Sequence, residues 1–266
     1  MYEAVHAYPD GDATVARHAR TAARYGYDGI VVRTREALDG AGEEPADGTG
    51  SVNGDHSADS DRPADSDRPV DSRRSAGALR EEYGIDVVDA IEIDADDPGS
   101  AGGAVGARRS ERTIVCVVGG DDRLNRYAVE EPRVDVLVRP MRGGGDLNHV
   151  LAKAARDNDV HVEFDFGPVL RETGGPRVQA LADLRKLREI LTYYDAPYVV
   201  SANAASHLEL RAPRELVAVA EAAGFDPEWT REGLRGWAAI ADRNRERRSE
   251  AFIEPGVRLG RYEETR

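Results

Sequence analysis

The segment VHVEFDF, residues 160–166, alternates strictly between apolar and polar side chains. In an extended strand, successive side chains point to opposite faces. One face is therefore apolar and consists of Val160, Val162, Phe164 and Phe166. The other face carries His161, Glu163 and Asp165. Such a strand fits a (β/α) barrel, in which the apolar face meets the surrounding helices and the polar face looks into the barrel.

Six further apolar segments predict strands, at 2–8, 28–34, 85–93, 113–118, 134–140 and 196–202. Helical patterns lie between most of them, at 12–25, 146–157, 177–194, 213–224 and 231–250. This alternation predicts an α/β protein with a parallel sheet, which is either open or closed. No GxGxxG pattern follows the first strand, which weakens the case for an open nucleotide-binding sheet. We therefore expect an irregular TIM-type (β/α) barrel with seven clear strands.

The sequence predicts one barrel domain over residues 1–250, followed by a C-terminal tail at 251–266. Two polar segments interrupt the domain. Residues 39–76 repeat the unit ADSDRP nearly three times and contain too few apolar side chains to offset the entropy cost of folding. This acidic insert is predicted to be a disordered surface loop. Residues 94–112 are rich in glycine and small side chains and are predicted to be a second loop.

Acidic residues outnumber basic ones by 50 to 36, which gives a formal net charge of −14. Lysine occurs only at positions 153 and 186, so nearly every basic residue is an arginine. This composition is typical of proteins from halophilic archaea, which work in concentrated salt. The acidic surface then serves solubility, and the rule that nucleic-acid-binding proteins are basic overall does not apply. Local arginine clusters become the relevant signal.

The sequence contains no run of 18 apolar residues, so a transmembrane helix is not expected. The segment MYEAVHAYPDGD at the start lacks the basic and apolar regions of a signal peptide. The single cysteine, Cys116, lies in the apolar segment TIVCVV, which predicts a small buried strand residue and not a reactive thiol. One unpaired cysteine suits a reducing compartment. We expect a soluble cytoplasmic protein with no membrane partner.

Charged side chains lie near the ends of several predicted strands: Arg33, Glu92, Arg139, Glu163 and Asp165. The carboxyl ends of parallel strands meet at one rim of a barrel, so we expect the three carboxylates to lie opposite the two arginines in the upper interior. Two interpretations stay open. The charges form a satisfied ion network, since buried charges need partners, or they belong to a carboxylate–histidine site that binds a metal ion.

The ion network is the favoured interpretation. Among the six histidines, only His6 and His207 remain as candidate ligands, and arginines in the same mouth would repel a cation. A nucleophilic site has no better support, because no GxSxG elbow occurs and the pair Ser201–His207 lacks an obvious carboxylate. We therefore predict no catalytic residue, no metal ligand and no cofactor bound by this chain.

Residues 201–216 read SANAASHLELRAPREL and follow the apolar run YVV. Ser201 and Asn203 end the strand, and Arg211 and Arg214 flank Pro213 where a helix is predicted to begin. A helix start offers free N–H groups to a phosphate, and arginine adds bidentate phosphate contacts. Alternatively, Arg211 pairs with a neighbouring glutamate, Glu209 or Glu215.

The same segment resembles the signature region of ribonuclease P protein component 3, an archaeal family with a eukaryotic counterpart. The shared features are an apolar strand, a short Ser/Ala/Asn turn, LELRAPREL, and a helix ending at Gly-Phe. Other segments resemble the family in order: RYGYDGIVV, AIEID, VDVLVRP, DLNHVLAKAARDNDVHVEFDFGPVLR and LRKLREIL. The resemblance covers nearly the whole chain apart from 39–76 and 94–112. The family commonly has a Ser-Ser-Gly-Ala-like turn where this chain has Asn203, which tolerates the left-handed conformation of glycine.

The resemblance implies a (β/α) barrel related to metal-dependent phosphoesterases, without a full metal site. It implies a protein subunit of ribonuclease P, the enzyme that removes the 5′ leader from precursor tRNA, with Mg²⁺ used by the RNA subunit. The implied partners are ribonuclease P RNA, another small ribonuclease P protein subunit in a heterodimer or larger assembly, and precursor tRNA through the holoenzyme. On this interpretation, the residues that bind RNA or a partner are Arg33, Arg139, Ser201, Asn203, His207, Arg211 and Arg214.

Two rival functions remain: a metal-dependent phosphoesterase of the related superfamily, which would use His6, and a small-molecule barrel enzyme acting through Glu163 and Asp165. In concentrated salt, counterion release contributes little to RNA binding. We therefore expect local arginine sites and not a broad basic face.

Overall fold

Seven parallel strands form one sheet, in which each strand pairs with the next strand along the chain. They are β1 (Tyr2–His6), β2 (Gly29–Arg33), β3 (Asp86–Ile93), β4 (Ile114–Val118), β5 (Val136–Val138), β6 (His161–Asp165) and β7 (Tyr198–Ser201). Just beyond β7, the N–H of His6 donates to the carbonyl oxygen of Ala204 over 2.9 Å. The sheet therefore curls into a nearly closed barrel, and the predicted seven-stranded TIM-type α/β fold is confirmed.

The computed structural model describes residues 1–35, 38 and 75–249, and beyond them the backbone of a short antiparallel strand pair. This pair, β8 (Phe252–Glu254) and β9 (Val257–Arg258), lies within the predicted C-terminal tail. Most of the predicted disordered insert, residues 39–74, lies outside the described residues.

The helices of the described residues pack mainly on the outer side of the barrel. They are α1 (Val15–Tyr25), α2 (Ala76–Tyr83), α3 (Pro98–Arg108), α4 (Asp122–Glu130), α5 (His149–Asp157), α6 (Gly167–Arg171), α7 (Gly174–Tyr194), α8 (Pro213–Ala222) and α9 (Pro227–Arg248). Local signals set their ends. In α1, the Thr14 hydroxyl accepts from the N–H of Arg17, and Gly26 ends the helix with φ of 86°, a conformation that glycine adopts without strain.

The prediction of a loop at residues 94–112 is wrong, because this segment contains α3. The Asp97 carboxylate caps the helix by accepting from the N–H groups of Gly99 and Ser100, and Pro98 occupies the first helical position. Ala101 and Val105 are buried in the barrel core. A good cap and two apolar anchors therefore outweigh the helix-weakening glycines of this segment.

Two predicted boundaries also need correction. The sequence predicts an insert that extends to residue 76, whereas Ser75 caps α2 through its hydroxyl group and the helix begins at Ala76. The helix predicted to begin at Asp146 begins at His149, because the side chain of Asn148 accepts from the N–H groups two and three residues further on.

The apolar face of β6 lies against the helices, as predicted. Val160, Val162, Phe164 and Phe166 are all fully buried in the core between the sheet and the helices. There the Phe164 ring meets Trp229 edge-on, with ring centres 4.6 Å apart. Cys116 is also fully buried, as predicted for a strand residue.

Helix α9 fills the barrel interior where the first and last strands separate, and it packs against both β1 and β7. Its side chains Trp237, Ile240 and Ala241 share one buried cluster with inward-facing strand residues. The indole Nε1 of Trp237 donates to the carbonyl oxygen of Val200 over 3.0 Å. The close approach of α9 to β7 requires Gly233, because a Cβ at this position would lie 2.4 Å from the side chain of Val200.

Replacing Trp237 with alanine is expected to lower the free energy of unfolding by about 3–5 kcal/mol, because it leaves a cavity between α9 and the strands. Denaturant unfolding at constant high salt measures this change. Trp237→Phe is the matched control, since it keeps most of the packing and loses only about 1–2 kcal/mol through the unpaired Val200 carbonyl. Equal unfolding free energies for wild type and Trp237→Ala would contradict this role of α9.

Candidate functional site

A buried arginine lies at the centre of the barrel mouth, where the strands end. Arg33, the last residue of β2, is only 1% exposed. Its Nη1 donates to Glu92 Oε2 over 3.0 Å and to Glu163 Oε2 over 3.3 Å, and its Nη2 pairs with Glu163 Oε1. Its guanidinium carbon also lies 5.0 Å from the centre of the Trp237 ring. Burial opposes the charge, but Glu163 and Glu92 raise the pKa of Arg33 above its ordinary value.

Glu92 joins a second arginine to this network, because Arg139 pairs with its other carboxylate oxygen. If β5 continued as a regular strand, Arg139 would point outward on the same face as Leu137. The strand ends at Val138, however, and Arg139 takes φ of 51°, which turns its side chain into the mouth. Burial alone would raise the pKa of Glu92, but the charges of Arg33 and Arg139 hold it below its ordinary value. Glu92 is therefore an ionised, doubly paired carboxylate.

The end of β7 supplies neutral polar groups to the same mouth. Ser201 Oγ donates to Glu163 Oε1 over 2.6 Å, and Asn203 Nδ2 donates to Asp165 Oδ2 over 2.9 Å. Asn203 takes the predicted left-handed conformation, with φ of 51°. Its Oδ1 lies 2.7 Å from His6 Nε2, and because an amide oxygen only accepts, His6 carries its proton on Nε2. Burial and the nearby Arg33 charge lower the pKa of His6.

Asp165 differs from the other two carboxylates of the mouth, because it has no cation partner among the described residues. It accepts from Asn203 and, over 2.7 Å, from the N–H of Gly167. Burial and the negative charge of Glu163 raise its pKa to about 6. Asp165 and Arg139 both line a groove of about 880 Å³ that runs from the mouth along α7.

Arg171 fixes the turn after β7, although no motif in the sequence points to this role. Its Nη1 donates to the carbonyl oxygen of Ala202 over 2.9 Å, and its Nη2 to that of Asn203 over 3.1 Å. Glu209 lies 3.8 Å from the same guanidinium and also accepts from the N–H of Ala205 over 2.9 Å. The polar groups of this turn therefore face the mouth in one fixed arrangement.

Glu3 is a second side chain that holds this turn and that the sequence did not single out. Its carboxyl group is fully buried, accepts from the N–H of Ala202 over 2.8 Å and lies 3.0 Å from the hydroxyl of Tyr27. Burial raises the pKa of Glu3 to about 8. A neutral Glu3 can donate to Tyr27, whose own O–H then donates to the carbonyl oxygen of Arg211 over 2.9 Å. The sequence did contain one signal for this buried group: an acidic residue occupies an outward-facing position of β1, the same face as the apolar Val5.

The arginines of the 201–216 segment do not lie at the mouth, which corrects the placement predicted from the sequence. After the bridge at Ala204 the chain runs back along β1, so that Arg211 meets Tyr27, just before β2 begins. The Arg211 guanidinium donates to the carbonyl oxygens of residues 208–210 and forms no ion pair with Glu209 or Glu215. Arg214 lies in a cleft beside Met1, at the opposite end of the barrel.

His207 is partly buried in this segment, and its Nδ1 has no hydrogen-bond partner among the described residues.

Within the described residues, no three His, Cys, Asp or Glu side chains converge in an arrangement that would hold a metal ion. Arginines neutralise two carboxylates of the mouth, and Arg33 is sealed from solvent. The arrangement can present hydrogen-bonding groups to a partner, but it leaves no array of ligands for a hydrolytic metal.

The family model that matches this sequence describes RNase P subunit p30, and the match spans residues 1–249. The chain belongs to the RNase P subunit p30 family. In the part of this family member that the structure describes, no helix is both long and apolar enough to cross a membrane.

Individual relatives are similar to this chain over almost all of its residues. The chain is 72% identical to ribonuclease P protein component 3 of Halorubrum lacusprofundi over 264 residues, 99% of each chain. It is 54% identical to the protein of that name from Haloarcula marismortui over 259 residues, 97% of each chain. A chain in the cryo-EM structure of archaeal ribonuclease P with mature tRNA shares its fold, with a TM-score of 0.72, 19% identity and complete coverage of both chains. The resemblance drawn from the sequence is confirmed, and so is its haloarchaeal character.

Replacing Arg33 with methionine is expected to lower the free energy of unfolding by about 3–5 kcal/mol, because Glu163 is left as a buried charge without a cation. The double variant Arg33→Met/Glu163→Gln removes both charges and should regain much of the loss. Denaturant unfolding of the two variants tests the network. A double variant less stable than Arg33→Met would show that Glu163 is not held by this pairing.

The pH dependence of stability should reveal the neutral Glu3. Its folded pKa of about 8 exceeds the ordinary value of 4.5, so the stability that protonation contributes is complete below pH 4.5 and is lost as the pH rises to about 8. The variant Glu3→Gln stays neutral. Its unfolding free energy relative to wild type should therefore increase over this window, by at most about 1.4 kcal/mol per pH unit.

The control for this titration is Glu81→Gln, which alters an exposed carboxylate on α2. This variant measures what the same change of glutamate to glutamine does to stability at an exposed position over the same pH range. A flat difference for Glu3→Gln would mean that Glu3 is ionised in the folded protein.

Proposed function

We propose that this ribonuclease P subunit acts as a non-catalytic support for RNA-catalysed removal of the 5′ leader from precursor tRNA. The RNA subunit supplies the chemistry with Mg²⁺, and this chain binds no cofactor of its own. Its partners are ribonuclease P RNA and another small protein subunit of the same enzyme, and it meets precursor tRNA within the holoenzyme. Its location in the cytoplasm and the absence of a membrane partner remain predictions of the sequence.

The ion network at the mouth carries this proposal. In a barrel hydrolase, catalytic groups and metal ligands gather at the carboxyl ends of the strands. Here Arg33 and Arg139 occupy that position and neutralise Glu92 and Glu163. A divalent cation at the same carboxylates would meet two guanidinium groups, whose positive charges disfavour its binding.

The rigidity of the mouth suits docking. The turn at residues 201–204 is held from three sides, by Glu3, Arg171 and the bridge to His6. A rigid turn loses little entropy when a partner binds to it. We assign Arg139 and His207 to binding RNA or the partner protein through hydrogen bonds, which remain effective in concentrated salt. Ser201 and Asn203 are buried and hydrogen-bonded to Glu163 and Asp165, so they act by holding this surface in place. Arg33 acts on this surface only indirectly, through its buried position in the network.

Omitting this chain from ribonuclease P that has been reassembled from its RNA and protein subunits should raise the Mg²⁺ concentration needed to cleave precursor tRNA. Cleavage rates over a series of Mg²⁺ concentrations measure the effect. The chain alone should cleave neither precursor tRNA nor a simple phosphodiester in the presence of Mg²⁺, Mn²⁺ or Zn²⁺.

Cleavage by the isolated chain that is lost in His6→Ala would establish the rival metal-dependent phosphoesterase. Loss in Asp165→Asn without any added metal would instead establish an acid–base enzyme at the mouth. An unchanged Mg²⁺ requirement after omission of the chain would overturn the proposed support of the RNA subunit.

A further inference from the structure

Helix α1 is basic in a protein that is otherwise strongly acidic. Residues 13–27 contain three arginines and no carboxylate, although 50 of the 266 residues of the chain are acidic. The three arginines, Arg17, Arg20 and Arg24, are exposed, whereas the opposite face of α1 is buried against the barrel. The helix therefore presents an unbroken positive face to solvent.

These guanidinium groups differ from most exposed arginines of the protein. On α4, for example, Arg123 lies 3.4 Å from Asp121 and Arg126 lies 3.5 Å from Glu130. The side chains of Arg17, Arg20 and Arg24 have no hydrogen-bond or ion-pair partner among the described residues. Their five N–H donors each are thus available to an external acceptor.

The three side chains lie on one side of the helix. Positions i, i+3 and i+7 fall within a narrow arc of an α-helix, and the rise per residue separates Arg17 from Arg20 by about 4.5 Å and Arg20 from Arg24 by about 6 Å along the axis. This line follows the outer surface of the barrel from the mouth toward the end where β1 begins. A flexible polyanion can follow the same line and meet each guanidinium in turn.

The line ends in a cleft of about 340 Å³ between the end of α1 and the start of α8. Arg24, Tyr25, Arg214 and Arg231 line the cleft. Arg214 is exposed and unpaired among the described residues, whereas Arg231 pairs with Glu228 over 3.2 Å.

Two other charged groups border this cleft, and both are already engaged. The ammonium group of Met1 is paired with Asp28. The carboxylate of Glu215 accepts from the N–H of Ala212 over 3.1 Å. The N–H of Ala212 does not cancel the negative charge of Glu215, but the two unpaired arginines, Arg24 and Arg214, outnumber this carboxylate, so the cleft keeps a positive balance.

We propose that Arg17, Arg20, Arg24 and Arg214, which we call the arginine surface, bind the sugar–phosphate backbone of ribonuclease P RNA. This inference rests on the proposed function for the identity of the nucleic acid. It places RNA on the outer face of α1, away from the barrel mouth.

Phosphate fits these residues better than a carboxylate-bearing peptide does. Arginine contacts phosphate bidentately through a planar fork, and such hydrogen bonds persist in concentrated salt, where counterion release has little effect. The exposed ring of Tyr25 lies in the same cleft and provides a face on which a base can stack. Many other exposed arginines, such as Arg126 beside Glu130, already pair with a carboxylate and therefore offer a phosphate fewer free donors.

The decisive variant is Arg20→Gln/Arg24→Gln/Arg214→Gln, assayed in ribonuclease P assembled from all its subunits. Removing each charge-assisted hydrogen bond should weaken RNA affinity about tenfold. The slope of log affinity against log salt should become shallower by roughly one unit for each phosphate that the variant no longer binds. The matched control is Arg123→Gln/Arg126→Gln on α4, which should leave both quantities unchanged. Unfolding midpoints equal to that of wild type show that the variants fold.

A second measurement locates the RNA directly. Because Cys116 is fully buried, a cysteine introduced as Tyr25→Cys becomes the only reactive thiol and can carry a tethered iron chelate that generates hydroxyl radicals. We expect strand cleavage of the assembled RNA from this position and none from the same chelate on Arg126→Cys.

Unchanged RNA affinity in the triple variant, or no RNA cleavage from position 25, would overturn the inference. If omission of the whole chain still raises the Mg²⁺ requirement in that case, the proposed function stands and the RNA lies elsewhere. Loss of the other protein subunit from the assembly, with RNA affinity retained, would identify the arginine surface as a protein interface and would also overturn the inference.

Discussion

The structure of the barrel mouth, and with it the proposed function, depends on one buried guanidinium. Arg33 lies between Glu92 and Glu163 and against the ring of Trp237, so the end of β2 is tied to β3, β6 and α9 at once. A buried charge is tolerated only when its partners are held in place, so the rest of the barrel mouth is arranged around it. The same pairing occupies the carboxylates that a barrel hydrolase would use for a metal ion.

The irregular closure of the barrel follows from α9. A seven-stranded sheet leaves a gap that the single bridge near Val5 and Ala204 does not fill. Trp237 and its neighbours on α9 enter this gap, and Gly233 permits the close approach. Because the interior is filled from this side, the barrel needs no eighth strand for its stability, and the buried turn after β7 forms part of the mouth.

An acidic protein can serve an RNA enzyme in concentrated salt if its RNA contacts are few and local. Strong salt removes the long-range attraction that a broad basic face would supply, whereas bidentate hydrogen bonds act only at contact. On the proposed assignment, RNA contacts lie on α1, with its unpaired arginines, and α4, where Arg126 is paired with Glu130, belongs to the solubilising surface. The mouth and the arginine surface would then serve different contacts within one assembly.

Elements with strong local signals could be predicted from the amino-acid sequence alone. The alternation in VHVEFDF predicted the two faces of β6, and the spacing of apolar segments predicted seven parallel strands. The left-handed Asn203 was predictable too, since asparagine tolerates that backbone conformation. Glycine-rich composition concealed α3, because the cap at Asp97 and two buried anchors decide that helix. The inward position of Arg139 was expected from the sequence, whereas the folded barrel was needed to place Arg214 opposite the mouth and to bury Glu3 beside Tyr27. Each of these depends on where the chain turns after a strand, and the energy of that choice comes from contacts between residues far apart in sequence.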